Sequence, residues 1–150
     1  MSNNINIAII GLGQVGAYLY GELLRNRLNI NLLTGKKINI VAISAKNIKK
    51  KRQIKINKKI FYPNPLNIIK KHKIDILFEC IGLADGISKK IVEIALKRKI
   101  HVITPNKALI SKHGDFLSKI AEKNKVNLEF EASVGGGIPI LRTIKEGLAT

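Results

Sequence analysis

Short runs of isoleucine and valine alternate along this chain with longer stretches in which apolar residues recur at helical spacing. The runs predict strands near 5–10, 38–44, 74–80, 100–103 and 126–131. The stretches between them predict helices near 14–27, 65–73, 84–98 and 107–124, and another from 138 onward. Ile74-Asp-Ile-Leu-Phe78 is nearly continuous in apolar character, which suits a sheet covered on both faces. Strands separated by helical segments build βαβ units with parallel strands. Right-handed crossovers then bring the C-terminal ends of the strands to one edge, where open α/β sheets bind their ligands. Residues 45–62 interrupt the pattern with a basic, polar loop, and Pro63 and Pro65 mark the start of the next helix. No internal repeat or domain boundary is visible, so the 150 residues read as one domain.

The first strand runs into Gly11-Leu12-Gly13-Gln14-Val15-Gly16. In such a G-x-G-x-x-G, Gly11 permits a tight turn, Gly13 lets the backbone approach a pyrophosphate, and Gly16 lets the helix pack on the strand. The helix beyond offers unpaired N–H groups and the positive end of its dipole to phosphates. An ordinary βα turn uses glycine too, but the order strand, glycine motif, helix is the context of a dinucleotide site. The predicted fold is accordingly α/β, a Rossmann-like doubly wound parallel sheet with helices on both faces. At the end of the second strand an NAD site usually carries Asp or Glu for the ribose 2′-hydroxyl. Here the chain reads Ile43-Ser-Ala-Lys-Asn47, with no carboxylate before Asp75. Lys46 and the cations from Lys49 to Arg52 suit a 2′-phosphate, which favours NADP and leaves NAD possible; the other reading is a solvated basic loop.

Three further segments carry candidate chemistry. Ile81 and Gly82 follow the third of these strands, where the nicotinamide half of a cofactor would run. Glu79 and Cys80 before them read as strand-end core and rim residues, and no histidine nearby suggests a thiolate at Cys80. Thr104-Pro-Asn-Lys107 ends the next strand and opens a helix, so Lys107 joins the same edge. It sits among apolar neighbours rather than in a charge run, and can orient a substrate carbonyl or contact the nicotinamide. Glu131-Ala-Ser-Val-Gly-Gly-Gly-Ile-Pro139 places three glycines in a row, at an entropic cost that suggests a tight turn or a close approach. Its carbonyls can coordinate a hard cation, or the segment is a plain turn before a helix starting near Pro139. His72, His101 and His113 lack metal-ligand spacing and read as surface or strand-edge residues.

Composition changes this picture little. The net charge of +17 would suit a nucleic-acid partner, but the cations are spread along the chain and only 5% of residues are aromatic. The chain holds 22 lysines against 5 arginines, with 27 isoleucines and 14 asparagines, the residues of A/T-rich codons. Compositional drift explains the charge, so no specific nucleic-acid partner is expected beyond salt-sensitive attraction to polyanions. No apolar run approaches the roughly 18 residues of a membrane span, and no secretory signal opens the chain. One cysteine fits a reducing cytoplasm.

The glycine loop at 11–16, Lys46-Asn47 through Arg52, Thr104-Pro-Asn-Lys-Ala-Leu-Ile110 and Phe130-Glu-Ala-Ser-Val-Gly-Gly-Gly-Ile-Pro139 together resemble the N-terminal part of homoserine dehydrogenase. That enzyme interconverts aspartate 4-semialdehyde and homoserine with NAD(P)H, on the route to threonine, methionine and isoleucine. The resemblance covers essentially the whole chain. It implies that Lys107 lies beside the nicotinamide and assists catalysis, and that Lys46 contacts the 2′-phosphate. It also implies that Glu131, Val134, Gly136 and Ile138 bind a monovalent cation, usually sodium, largely through backbone oxygens. Asn47 stands where the family often has Asp. Family members continue into a substrate-binding and dimerisation domain, which these 150 residues do not contain. The resemblance therefore implies an NAD(P)-binding domain over 1–150 that forms a homo-oligomer and turns over substrate only with that domain supplied. The alternative is a non-catalytic NAD(P)-binding regulatory subunit or one part of a split enzyme.

Overall fold

The computed structural model describes residues 4–130. Its elements are β1 (Asn4–Ile10), α1 (Gln14–Arg25), α2 (Arg27–Thr34), β2 (Lys37–Ser44), a 3-10 turn at Lys58–Ile60, β3 (Phe61–Tyr62), α3 (Leu66–Lys71), β4 (Ile76–Glu79), α4 (Ile87–Lys97), β5 (His101–Ile103), α5 (Lys107–Asn124) and β6 (Leu128–Glu129). The six strands form one sheet in the order β3-β2-β1-β4-β5-β6, and every neighbouring pair is parallel. This is the doubly wound parallel sheet expected from the alternation of runs and helices.

Alternation along β1 divides the core. Ile5, Ile7 and Ile9 face α1 and α2, where they pack with Leu19, Tyr20, Leu23 and Ile30. Ala8 and Ile10 face the opposite way and pack with Leu77, Val102 and the helices α4 and α5 through Ile91, Ala95, Leu109 and Leu117. Each fully buried isoleucine or leucine contributes roughly 1.5–3 kcal/mol relative to exposure, so the two faces supply most of the cohesion. β1 and β4 lie side by side with Ile10 opposite Glu79. From that seam the chain builds β2 and β3 outward on one side and β5 and β6 on the other, which opens a crevice above the strand ends.

The structure departs from the sequence reading in several places, among them the helices expected over 65–73 and 84–98, which span Leu66–Lys71 and Ile87–Lys97. The helix expected over 14–27 ends at Arg25, and a second helix, α2, follows. At the break the Asn26 Nδ2 donates to the Glu22 carbonyl and carboxylate, while the Asn26 N–H keeps its own bond to the Glu22 carbonyl. The loop at 45–62 contains the 3-10 turn and β3, which pairs Phe61 and Tyr62 with Ile43 and Ser44. β4 begins at Ile76 rather than 74, because the Asp75 carboxylate accepts from the Asn6 N–H at 2.7 Å at the sheet's lower edge. β6 is two residues long rather than six. The predicted α5 over 107–124 is the observed one, and the helix expected from 138 lies outside the described residues.

Candidate functional site

The glycine loop connects β1 to α1 above the seam. Gly11 has φ +97°, and a Cβ there would stand 2.5 Å from the Cys80 carbonyl oxygen and 2.9 Å from the Ile81 nitrogen. Its N–H donates to the Ser44 carbonyl at 2.8 Å. Gly11 is therefore pinned between β2 and the strand end of β4, and it brings Ile81 against the loop. A Cβ on Gly16 would lie 1.8 Å from the Gly11 oxygen and 3.2 Å from the Cys80 Cβ, so the first turn of α1 sits directly on the loop. Gly13 differs, since a Cβ there would meet nothing within 4 Å. Gly13 is also the N-cap of α1 and supplies no side-chain cap, so the first amides of the helix are left for a ligand. Leu12 is buried in the core; Gln14 and Val15 are exposed at the mouth. An open middle glycine between two filled ones is the cradle a pyrophosphate requires, so the residues present fit the dinucleotide.

The basic loop is fastened to this cradle by Arg52. Its Nε donates to the Leu12 carbonyl at 3.0 Å, Nη2 to Asn47 at 3.0 Å, and Nη1 to Lys50 at 2.9 Å and Ile48 at 3.4 Å. The guanidinium is spent on backbone, which holds Lys46 and Asn47 beside the glycine loop. Lys46 is exposed and forms no ion pair among the described residues.

On the other side of the seam, alternation turns Glu79 and Thr104 toward the α4–α5 face. Glu79 is fully buried. Its Oε1 accepts from the Ile81 N–H at 2.9 Å, and its Oε2 accepts from Thr104 Oγ at 2.6 Å and Asn106 Nδ2 at 3.2 Å. Asn106 also donates to the Leu83 carbonyl at 2.8 Å, and its Oδ1 accepts from Leu109 N–H at 3.1 Å, capping α5. Thr104 Oγ accepts from the Asn106 N–H at 3.0 Å. These bonds join the loop carrying Ile81 and Gly82 to the turn carrying Lys107. Gly82 has φ +86° and open space around it. Lys107 is the first residue of α5, exposed, with no ion pair or hydrogen bond from its ammonium among the described residues. Asp85 ties the same loop to α5 from outside, accepting from Lys112 Nζ at 2.6 Å and pairing with His113 Nε2 at 2.8 Å. The hydrogen bonds from Lys112 and then His113 hold the Asp85 carboxyl below its ordinary range.

Burial, with a smaller push from the Glu79 carboxylate, raises the Cys80 thiol to about 12, so it stays an inert thiol beneath Gly16. The cation ligands expected at Glu131, Val134, Gly136 and Ile138 lie outside the described residues. Among the described residues no group of three or more His, Cys, Asp or Glu could hold a metal ion, and no helix is long and apolar enough to cross a membrane. A cavity of about 400 Å³ lined by Leu24, Arg25, Leu28 and Ile38 lies at the opposite edge of the sheet, away from every strand end described above.

The sequence placed Arg52 among the loop cations and Glu79 at a strand end, but not their part in organising the edge. A signal existed for each. Arg52 is an arginine inside a lysine run, in a chain whose default cation is lysine. Glu79 is one of only 10 acidic residues and ends an apolar strand, where an unpaired charge would be costly.

The description "Homoserine dehydrogenase, NAD binding domain" matches residues 11–131 of the chain. The chain is similar to the homoserine dehydrogenase of Neisseria gonorrhoeae, with 35% identity over 145 residues that cover 97% of this chain and 33% of that protein. It is also similar to the Bacillus subtilis homoserine dehydrogenase, at 33% identity over 146 residues, covering 97% of this chain and 34% of that one. Its fold is similar to the crystal structure of S. aureus homoserine dehydrogenase, with a TM-score of 0.80 and 36% identity, covering 87% of this chain and 34% of that one. The chain thus spans about a third of the length of the relatives it matches.

Proposed function

The chain belongs to the family of homoserine dehydrogenase NAD-binding domains, and from that membership we propose that it is the cofactor-holding part of a homoserine dehydrogenase, using NADP in preference to NAD for the interconversion of aspartate 4-semialdehyde and homoserine. The observation that carries this reading is the open Gly13 between the filled Gly11 and Gly16, at the N-terminus of α1. Gly11 through Gly16 hold the pyrophosphate with backbone amides. Lys46, kept at the mouth of the loop by Arg52, meets the 2′-phosphate. Ile81 and Gly82 line the path of the nicotinamide half. The bound nicotinamide supplies hydride donation and acceptance. Lys107, with its ammonium free of partners among the described residues, orients and polarises the semialdehyde carbonyl, stabilising charge that develops on its oxygen. The family resemblance assigns a monovalent cation, sodium, to Glu131, Val134, Gly136 and Ile138, which lie outside the described residues. Substrate binding and dimerisation belong to residues outside the third of the relatives that this chain matches.

Fluorescence titration of the chain with NADPH and NADH at physiological salt tests the reading. Saturable binding of both is expected, tighter for NADPH, and Lys46→Ala should narrow that preference by about 5- to 10-fold while leaving NADH affinity unchanged. Absence of saturable binding to either dinucleotide would remove the proposal. In an enzyme that turns over substrate, Lys107→Ala should lower kcat far more than it weakens NADPH.

A further inference from the structure

Burying a carboxylate costs several kcal/mol unless its oxygens are satisfied, and an apolar residue of similar size would stabilise the fold at least as well. Glu79 is fully buried and forms no ion pair among the described residues, so three neutral donors offset its burial. Those donors are not drawn from one element. The Ile81 N–H belongs to the loop leaving β4, while the Thr104 hydroxyl and the Asn106 amide belong to the turn leaving β5, 25 and 27 residues further on. Asn106 closes the circuit by donating to the Leu83 carbonyl and by capping the helix that begins at Lys107.

We propose that Glu79 is a positioning residue that sets the separation between the Ile81–Gly82 backbone and the Asn106–Lys107 turn, so that the nicotinamide and Lys107 meet in register. The inference rests on the cofactor reading above, and it locates the specificity of the nicotinamide half in a residue that touches neither cofactor nor substrate. Glu79→Gln keeps the size and leaves one side of the network facing an NH₂ donor. Thr104→Val removes a single donor with little change of shape and is the gentler second variant.

The test compares two ligands on the full chain: NADPH, and 2′,5′-ADP, which carries the adenosine half without nicotinamide. Both variants are expected to weaken NADPH by about tenfold while 2′,5′-ADP stays within about twofold of wild type. Equal loss on both ligands would mean a general weakening of the domain and would overturn the positioning role. So would unchanged NADPH affinity in folded Glu79→Gln and Thr104→Val. Wild-type chain that binds 2′,5′-ADP no less tightly than NADPH would refute this inference but leave dinucleotide binding standing, whereas wild type that binds neither would remove both.

Discussion

On the β2 side of the seam, one half-buried arginine holds an exposed loop by gripping four backbone carbonyls. On the β4–β5 side, one fully buried carboxylate gathers three donors from two loops. The two halves of the same ligand edge are thus held by opposite charges at opposite depths. Arg52 grips neutral oxygens near water, so its loss lets solvent take over and the loop relax. Glu79 is screened by nothing but its donors, so its network is satisfied as a whole or fails as a whole. The difference matches the task proposed for each half. The adenosine side presents an exposed basic loop, and the nicotinamide side must hold two reacting groups in one geometry.

The largest effect should come from the seam that both halves share. Gly16→Ala would place a Cβ 1.8 Å from the Gly11 oxygen, backbone against backbone with no side chain able to yield. We expect a loss of at least about 3 kcal/mol in thermal or chemical unfolding. Gly13→Ala is the matched control: its Cβ meets nothing within 4 Å, so the fold should be unaffected while NADPH affinity falls. If the two variants melted together, the packing assigned to the glycine loop would be wrong. Glu79→Ala comes next, at about 3 kcal/mol, because the Ile81, Thr104 and Asn106 donors would be left buried without an acceptor. Urea unfolding measures it, and a loss below about 1 kcal/mol would show that water reaches the network.

These two cases also show what the sequence made legible. The glycine motif was readable because its spacing encodes backbone constraints that are local. α5 was readable because Asn106 caps it and Leu109, Leu117 and Ala121 form its buried face. α2 was not, since Leu28, Leu32 and Leu33 are exposed and only Ile30 is buried, so its apolar residues do not mark an inward face. β3 consists of two residues that become a strand only through pairing with Ile43 and Ser44. Arg52 and Glu79 were named with their charge, but their partners are remote: Leu12 lies 40 residues from Arg52, and Thr104 lies 25 from Glu79. Only the strand order brings those groups together.

A smaller effect should mark the adenosine half. Arg52→Ala gives up charge-assisted bonds at a half-buried site, for an expected cost of about 1 kcal/mol. Its consequence for ligands should exceed its consequence for the fold. Once the loop is released from Leu12, Lys46 is no longer presented beside the glycine loop, and the NADPH preference should narrow as it does in Lys46→Ala. Arg52→Lys should not restore it, because an ammonium cannot span carbonyls on both loops. Full retention of the preference in Arg52→Ala would mean that the basic loop holds its own shape. The contrast between the two halves would then rest on Glu79 alone.

The smallest effect is a pH dependence at the far end of β5, three residues before Thr104. His101 is buried, and its Nδ1 accepts from the Asn127 N–H at 3.1 Å, which ties β5 to the residue leading into β6. Burial lowers its pKa below the ordinary 6.5, with the Asp75 carboxylate opposing part of that shift. The unfolded chain therefore binds the proton more readily than the folded one between the depressed value and 6.5. Stability is full above about 6.5 and falls as the pH drops through that window. Protonation also turns Nδ1 from acceptor into donor and breaks the bond to Asn127. Acid should thus loosen β5 and β6, on the side of the buried carboxylate, before it touches β1 and β2. Amide exchange compared at about pH 7.5 and about pH 5.5 reads this directly, because the Asn127 N–H should lose protection while the Gly11 N–H keeps its own. Equal loosening of both pairs would show that the sheet answers acid as one unit, and His101→Gln, which retains an acceptor without the titration, should then leave the acid loosening of β5 and β6 in place.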